Sequence, residues 1–94
     1  MKVKVKIIGA YQPPKGFENQ KEVPMDCAGN SVRDLLQQIS SRIDKETRGI
    51  FYTEQGEISP DLIIVNGILI SHSVRFNFKL KEGDLIELIW SPGG

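Results

Sequence analysis

The sequence predicts an α+β fold, a mixed sheet with one main helix packed on one face. Three observations carry that prediction. The opening residues alternate charged and apolar side chains, a single capped apolar stripe begins at Ser31, and a nearly unbroken apolar run precedes the C-terminus. With 94 residues there is chain for one compact core and not for two, so residues 1–94 are expected to form one domain ending in a flexible Gly-Gly tail.

Residues 2–8 read Lys-Val-Lys-Val-Lys-Ile-Ile. A period of two puts Val3, Val5 and Ile7 on one face and Lys2, Lys4 and Lys6 on the other, the pattern of a strand with one wet face. The run Gln12-Pro13-Pro14-Lys15-Gly16 interrupts regular structure. A weaker strand is expected over residues 19–26, at an edge or bulged because Pro24 lacks a ladder donor. Ser31 is a good N-cap, and Asp34, three residues on, suits the free amides and the helix dipole. Val32, Leu35, Leu36, Ile39 and Ile43 then follow at helical spacing.

Between residues 45 and 60 the pattern is weakest. Ile50, Phe51 and Tyr52 fit either a turn packed on the core or a partner contact. Leu62-Ile63-Ile64-Val65 is β-rich, Asn66-Gly67 is a strong hairpin signal, and Ile68-Leu69-Ile70 is the returning strand. Val74, Phe76, Phe78 and Leu80 alternate, which predicts a partly extended segment. Lys81-Glu82-Gly83-Asp84 turns the chain into Leu85-Ile86-Glu87-Leu88-Ile89-Trp90, whose apolar continuity suits a central strand. Strand, strand, helix, strands and a final central strand is the order of a β-grasp.

Twelve basic residues balance twelve acidic ones, so net charge supplies no attraction to nucleic acid or an anionic membrane. No apolar run approaches the roughly 20 residues that span a bilayer. The alternating N-terminus lacks the apolar region of a signal peptide, and a cytoplasmic location is expected. Cys27 is the only cysteine, which rules out an internal disulfide and a four-cysteine iron–sulfur site. It reads as a small buried apolar residue, and His72 as a solvated loop residue; together they are too few for a structural zinc site. No triad signature or phosphate-binding glycine loop is present, so the chain is not expected to be an enzyme with its own active site.

What remains is the terminus, Ser91-Pro92-Gly93-Gly94. With glycine at about 7% of residues, a terminal pair arises by chance in roughly 0.5% of chains, so its position after a central strand says more than its composition. Pro92 fixes its own φ and pushes Ser91 toward extended geometry, aiming the chain outward. Four residues reach about 13 Å at roughly 3.3 Å each. Glycines without Cβ can thread a narrow slot in a partner and present the Gly94 carboxylate to a nucleotide phosphate.

These residues carry a family likeness. The chain resembles the ubiquitin-like sulfur carriers: the small subunit of molybdopterin synthase (the MoaD family) and the thiamine-pathway carrier ThiS. The likeness spans nearly the whole chain and rests on Val3-Lys4-Val5, Ser31-Val32-Arg33-Asp34-Leu35-Leu36, Ile64-Val65-Asn66-Gly67, Leu80-Lys81-Glu82-Gly83-Asp84 and Gly93-Gly94. The resemblance implies that an adenylating enzyme similar to ubiquitin-activating enzymes uses ATP to form a Gly94 acyl-adenylate. A sulfurtransferase persulfide then converts it to a thiocarboxylate, and the sulfur passes to an acceptor such as the molybdopterin synthase large subunit or thiazole synthase. Gly94 is the bearing residue, Gly93 allows entry to the partner, and no cofactor is held by the chain itself. Three departures stand out: a longer loop from Tyr11 to Lys21, a longer and more aromatic stretch over 71–79, and Trp90-Ser91-Pro92 before the glycines.

If Glu87 points outward beside the lysines, parity sends Leu85 and Ile89 outward too. Leu85, Ile89, Trp90 and Pro92 are therefore candidate partner contacts, the alternative being bends that bury them. Two other functional classes share these features: a ubiquitin-like modifier joined to lysine through Gly94, and a β-grasp binding module whose tail is incidental.

Overall fold

The structure, a computed structural model, describes residues 1–9, 16–17, 21–41 and 60–90. Strand β1, Lys2–Ile8, keeps the predicted alternation: Val3, Val5 and Ile7 are buried while Lys2 and Lys4 are exposed. Its neighbour in the sheet is β5, Leu85–Ile89, which also pairs with β3, Leu62–Val65. Strand β2, Val23–Asp26, and the two-residue β4, Ile68–Leu69, form the edges of a sheet ordered β2-β1-β5-β3-β4. The β1–β5 pair is parallel and the other three are antiparallel.

The last strand is thus central, and Ile86 and Leu88 are fully buried. Each such side chain contributes about 1.5–3 kcal/mol relative to exposure. β2 is shorter than the expected 19–26: its ladder covers only Lys2↔Asp26 to Val5↔Val23, and Lys21 and Glu22 before it are exposed. Pro24 does sit on an edge strand, opposite Lys4. The core also takes Phe17, 1% exposed, from a segment to which the sequence assigns no core residue.

Helix α1, Val32–Ser40, starts as its sequence dictates. Ser31 is extended, its Oγ accepts from the Asp34 amide at 3.2 Å, and Asp34 Oδ2 accepts from the Ser31 amide at 3.2 Å and the Ser31 hydroxyl at 2.9 Å. The Ser31 hydroxyl and amide hold the Asp34 carboxyl below the usual carboxylate range, aided by the Asn30 amide and Lys79 and opposed by desolvation. Val32, Leu35, Leu36 and Ile39 are fully buried against the sheet. Ile43, like Ile50, Phe51 and Tyr52, lies outside the described residues.

The hairpin between β3 and β4 turns at Asn66 (φ 51°) and Gly67 (φ 82°), both left-handed as a two-residue type I′ turn requires. Residues 75–77 depart from the expected extended conformation. Arg75–Asn77 is a 3₁₀ helix, η1, entered through Val74 N–H to Ser71 C=O at 3.2 Å and continued by Asn77 N–H to Val74 C=O at 3.0 Å. Arg75 takes the buried place, and its Nη1 donates to the Pro60 carbonyl at 2.7 Å. Burial lowers its proton affinity and Asp61 opposes that, but a guanidinium remains charged. The Arg75 and Arg33 guanidiniums lie 4.8 and 5.4 Å from the centre of the Phe76 ring, tying η1 to α1. A cation anchored to a carbonyl outweighs the alternating apolar pattern. Only Phe78–Leu80 is extended, held to the helix start by Val32 N–H to Phe78 C=O at 3.0 Å and Leu80 N–H to Asn30 C=O at 2.7 Å.

Candidate functional site

Because β1 and β5 run parallel and β3 runs against them, the C-terminal ends of β1 and β5 meet the start of β3 at one end of the sheet. The face away from the helix there is apolar. Ile8, Ile89 and Leu62 are paired in one row across three strands, and Lys6, Glu87, Ile64 and Leu69 form the next row. Lys4 and Leu85 continue the face toward the other end. Leu62 is 37% and Leu69 59% exposed; Ile8, Ile64, Leu85 and Ile89 are half-buried. Grouped apolar side chains on an open sheet face are a partner-site signal.

Parity therefore places Leu85 and Ile89 as expected, on the lysine side of β1. They lie about 13 Å apart, at roughly 3.3 Å per residue, so Ile89 belongs to the tail end and Leu85 to the opposite one. Trp90 differs from both: it packs against the buried core and is only half exposed. Its amide donates to the Ile8 carbonyl at 2.9 Å, extending the β1–β5 ladder by one bond. Pro92, Gly93 and Gly94 lie outside the described residues. The sequence reading missed Leu62, Ile64 and Leu69, because their outward faces join the patch only through the β3–β5 register. Ile8 shared the parity of Lys4 and Lys6 and was legible.

Charge is distributed unevenly around this face. Lys2, Lys4 and Lys6 line the β1 flank, and Glu87 stands beside Lys6. The apolar side of the face is thus bordered by cations, which suits a partner surface with apolar and acidic groups. Cys27 is buried at 1% exposure, so its thiol is enclosed in the core, and His72 is exposed. Among the described residues no group of three or more His, Cys, Asp or Glu is placed to hold a metal ion. No helix among them is long and apolar enough to cross a membrane.

Among the described residues, five strands in a mixed sheet, a parallel β1–β5 pair at the centre and one α-helix packed on one face define a β-grasp fold. No family model matches the chain, and no curated protein matches it. Among solved structures it is similar to the Haloferax volcanii HVO 2177 protein, with a TM-score of 0.67 and 21% identity over 100% of this chain and 87% of that one. It is also similar to a chain from the complex of subunits 1 and 2 of molybdopterin-converting factor from Helicobacter pylori 26695. There the TM-score is 0.54 at 24% identity, over 100% of this chain and 99% of that one. At these identities the likeness establishes the fold.

Proposed function

We propose that this chain is a ubiquitin-like sulfur carrier whose working group is the Gly94 carboxylate, with Gly93 giving access to a partner's cleft. The observation that carries the reading is where the central strand ends. β5 is anchored between β1 and β3, its end lies in the outward row Ile8, Ile89 and Leu62, and in sequence only Trp90 separates it from Ser91-Pro92-Gly93-Gly94. A rigid strand next to a docking face lets a partner hold the body and receive the terminus in one binding event. The similarity to a chain of molybdopterin-converting factor supports the same reading and favours the large subunit of molybdopterin synthase as acceptor over thiazole synthase.

A carboxylate is a poor acyl donor. An adenylating enzyme joins it to the α-phosphate of ATP with release of pyrophosphate; a sulfurtransferase persulfide then displaces AMP to form an acyl disulfide, and a second thiol cleaves its S–S bond, forming a disulfide with the sulfurtransferase sulfur and releasing the thiocarboxylate. The carrier contributes the acyl group and the docking surface, and its partners supply the catalysis. It acts in the cytoplasm, where ATP is available.

Intact-mass measurement of the protein purified from its native cell tests this directly. One oxygen replaced by sulfur, located at Gly94 by fragmentation and absent when Gly94 is deleted, is the expected result. Full biological function after loss of Gly93 and Gly94 overturns it, as does a terminus found only in isopeptide bonds to lysine.

A further inference from the structure

The two edges of the sheet differ in how their outward backbone groups are used. At β2 the Cys27 amide donates to the Met1 carbonyl at 2.7 Å. By alternation Met25 and Val23 bond to β1, while Pro24 and Asp26 turn their backbone groups outward. Pro24 has no N–H to offer, and the Asp26 carbonyl already accepts from Gln38 Nε2 at 2.8 Å. Gln38 Oε1 in turn accepts from the Ala28 amide at 3.0 Å, which ties α1 to the end of this edge. The β2 edge is thereby blunted against a further strand.

β4 carries no such device. The Ile70 amide donates to the Ile63 carbonyl at 2.9 Å, so Ile63 and Ile70 are a bonded pair and the next pair, Ile64 and Leu69, is not. The N–H and C=O of Leu69 therefore point away from β3, and among the described residues neither meets a partner. Leu69 is exposed on the outer face of the sheet. Ile68, 66% exposed, stands on the helix side, the side of its buried pair mate Val65. An unpaired edge with apolar side chains bared on both faces is a template for an added strand.

A pocket lies beside that edge. Val65, Ile68, Ile70 and Phe78 line it together with Lys79 and Lys81, and its volume is about 200 Å³. That is below the roughly 300–1,000 Å³ of small-molecule sites. It exceeds the roughly 150 Å³ that accommodates benzene in an apolar cavity. The space suits one large apolar side chain. Strand register delivers one: a residue bonded to Leu69 shares its outer face, so the residues on either side of it project toward Ile68 and Ile70. Lys79 and Lys81 are exposed at the rim, whereas the Asp84 carboxylate there accepts from Asn66 Nδ2 and the Lys81 amide. Two exposed ammonium groups favour carboxylates on the incoming segment. A second copy of the chain would instead bring the same lysines to the junction.

We propose that the β4 edge receives an extended acidic segment of a partner protein by strand addition. Both backbone groups of Leu69 are bonded, one apolar side chain of the segment fills the pocket, and its carboxylates stand beside Lys79 and Lys81. This assignment is independent of the carrier reading.

The probes are capped synthetic hexapeptides with Val, Ile, Leu or Phe at the central positions and Glu at the ends, with a matching set ending in Lys. Calorimetry should show binding by the Glu set, about tenfold or more tighter than by the Lys set. At saturation, hydrogen exchange at the Leu69 amide should slow by about tenfold or more. Leu69→Pro deletes the outward N–H without removing a donor from the β3–β4 ladder, a change an edge strand tolerates. It should weaken binding about tenfold. Lys79→Glu with Lys81→Glu should reverse the preference between the two sets. Failure of every Glu peptide to bind overturns the proposal, as does binding that leaves exchange at Leu69 unchanged. Equal affinity in a folded Leu69→Pro protein also overturns it; should that variant not fold, the exchange and the charge reversal decide. Self-association of the wild type that Leu69→Pro abolishes assigns the edge to a second copy and overturns it too.

Discussion

The two ends of β5 are fastened by different chemistry. At its start, side chains add to the backbone bonds: Asn66 Nδ2 donates to Asp84 Oδ1 at 2.8 Å, the Leu85 amide donates to Asn66 Oδ1 at 2.9 Å, and Asp84 Oδ2 accepts from the Lys81 amide at 2.8 Å. The turn is also joined to β1, through Gly83 N–H to Lys2 C=O at 2.8 Å and Lys2 N–H to Glu82 Oε2 at 2.6 Å. At the other end the backbone bond from Trp90 N–H to Ile8 C=O extends the ladder, and the outward side chains beside it are Ile8, Ile89 and Leu62. Polar side chains close one end of the strand, and apolar side chains stand at the other. On the carrier reading proposed above, stability and function are segregated along one strand.

Removing the shared middle should break both ends together. Leu88→Ala deletes a fully buried side chain, and its expected cost is about 2–5 kcal/mol in denaturant unfolding. Asn66→Ala should affect the polar end alone. It loses two side-chain hydrogen bonds and a favoured left-handed turn residue, at a cost of about 1–2 kcal/mol, while sulfur loading per folded molecule stays at the wild-type value. Should loading fall in proportion, the segregation is wrong.

A smaller effect belongs to the helix cap, away from both ends. Ser31→Ala should cost about 1 kcal/mol by thermal or urea unfolding. Its acidic partner gives a pH signature. The Asp34 carboxyl is depressed in the folded state by the Ser31 hydroxyl and amide, so its contribution is fully present above the unfolded value near 4. It is lost as pH falls from there through the lower folded value. The stability difference between wild type and Asp34→Asn should therefore shrink below about pH 4; a difference that grows on acidification would contradict the cap assignment.

The smallest change in stability is expected for Ile89→Lys, less than about 1 kcal/mol, since host strand preferences span that range and the site is half exposed. Its effect on binding should be the opposite in size. Affinity for the adenylating partner, measured by calorimetry, should drop about tenfold or more, equivalent to at least about 1.4 kcal/mol. Unchanged affinity would remove the apolar row from the docking face.

Much of this was local and therefore readable. The lysine–valine alternation of β1, the Ser31–Asp34 cap, the Asn66-Gly67 turn and the apolar run of β5 each satisfy a rule that acts over a few residues. The outward parity of Leu85 and Ile89 followed from a period of two. Trp90 was grouped with them by its position in the chain, whereas its packing against the core depends on what stands across from it. Arg75 was invisible for a similar reason: an alternating run reads as extended until the Pro60 carbonyl, 15 residues away, claims the guanidinium.

The sequence by itself determined which segments become strands and helix, and which side of each faces water, because propensity, capping and periodicity are properties of neighbouring residues. Only the tertiary structure decided that Ile8, Ile89, Leu62, Ile64 and Leu69 share one surface, and that the Leu69 amide points out of the sheet at its β4 edge. Both depend on strand order and register, which arise from pairing between residues far apart in the chain and from the common burial of side chains beneath them.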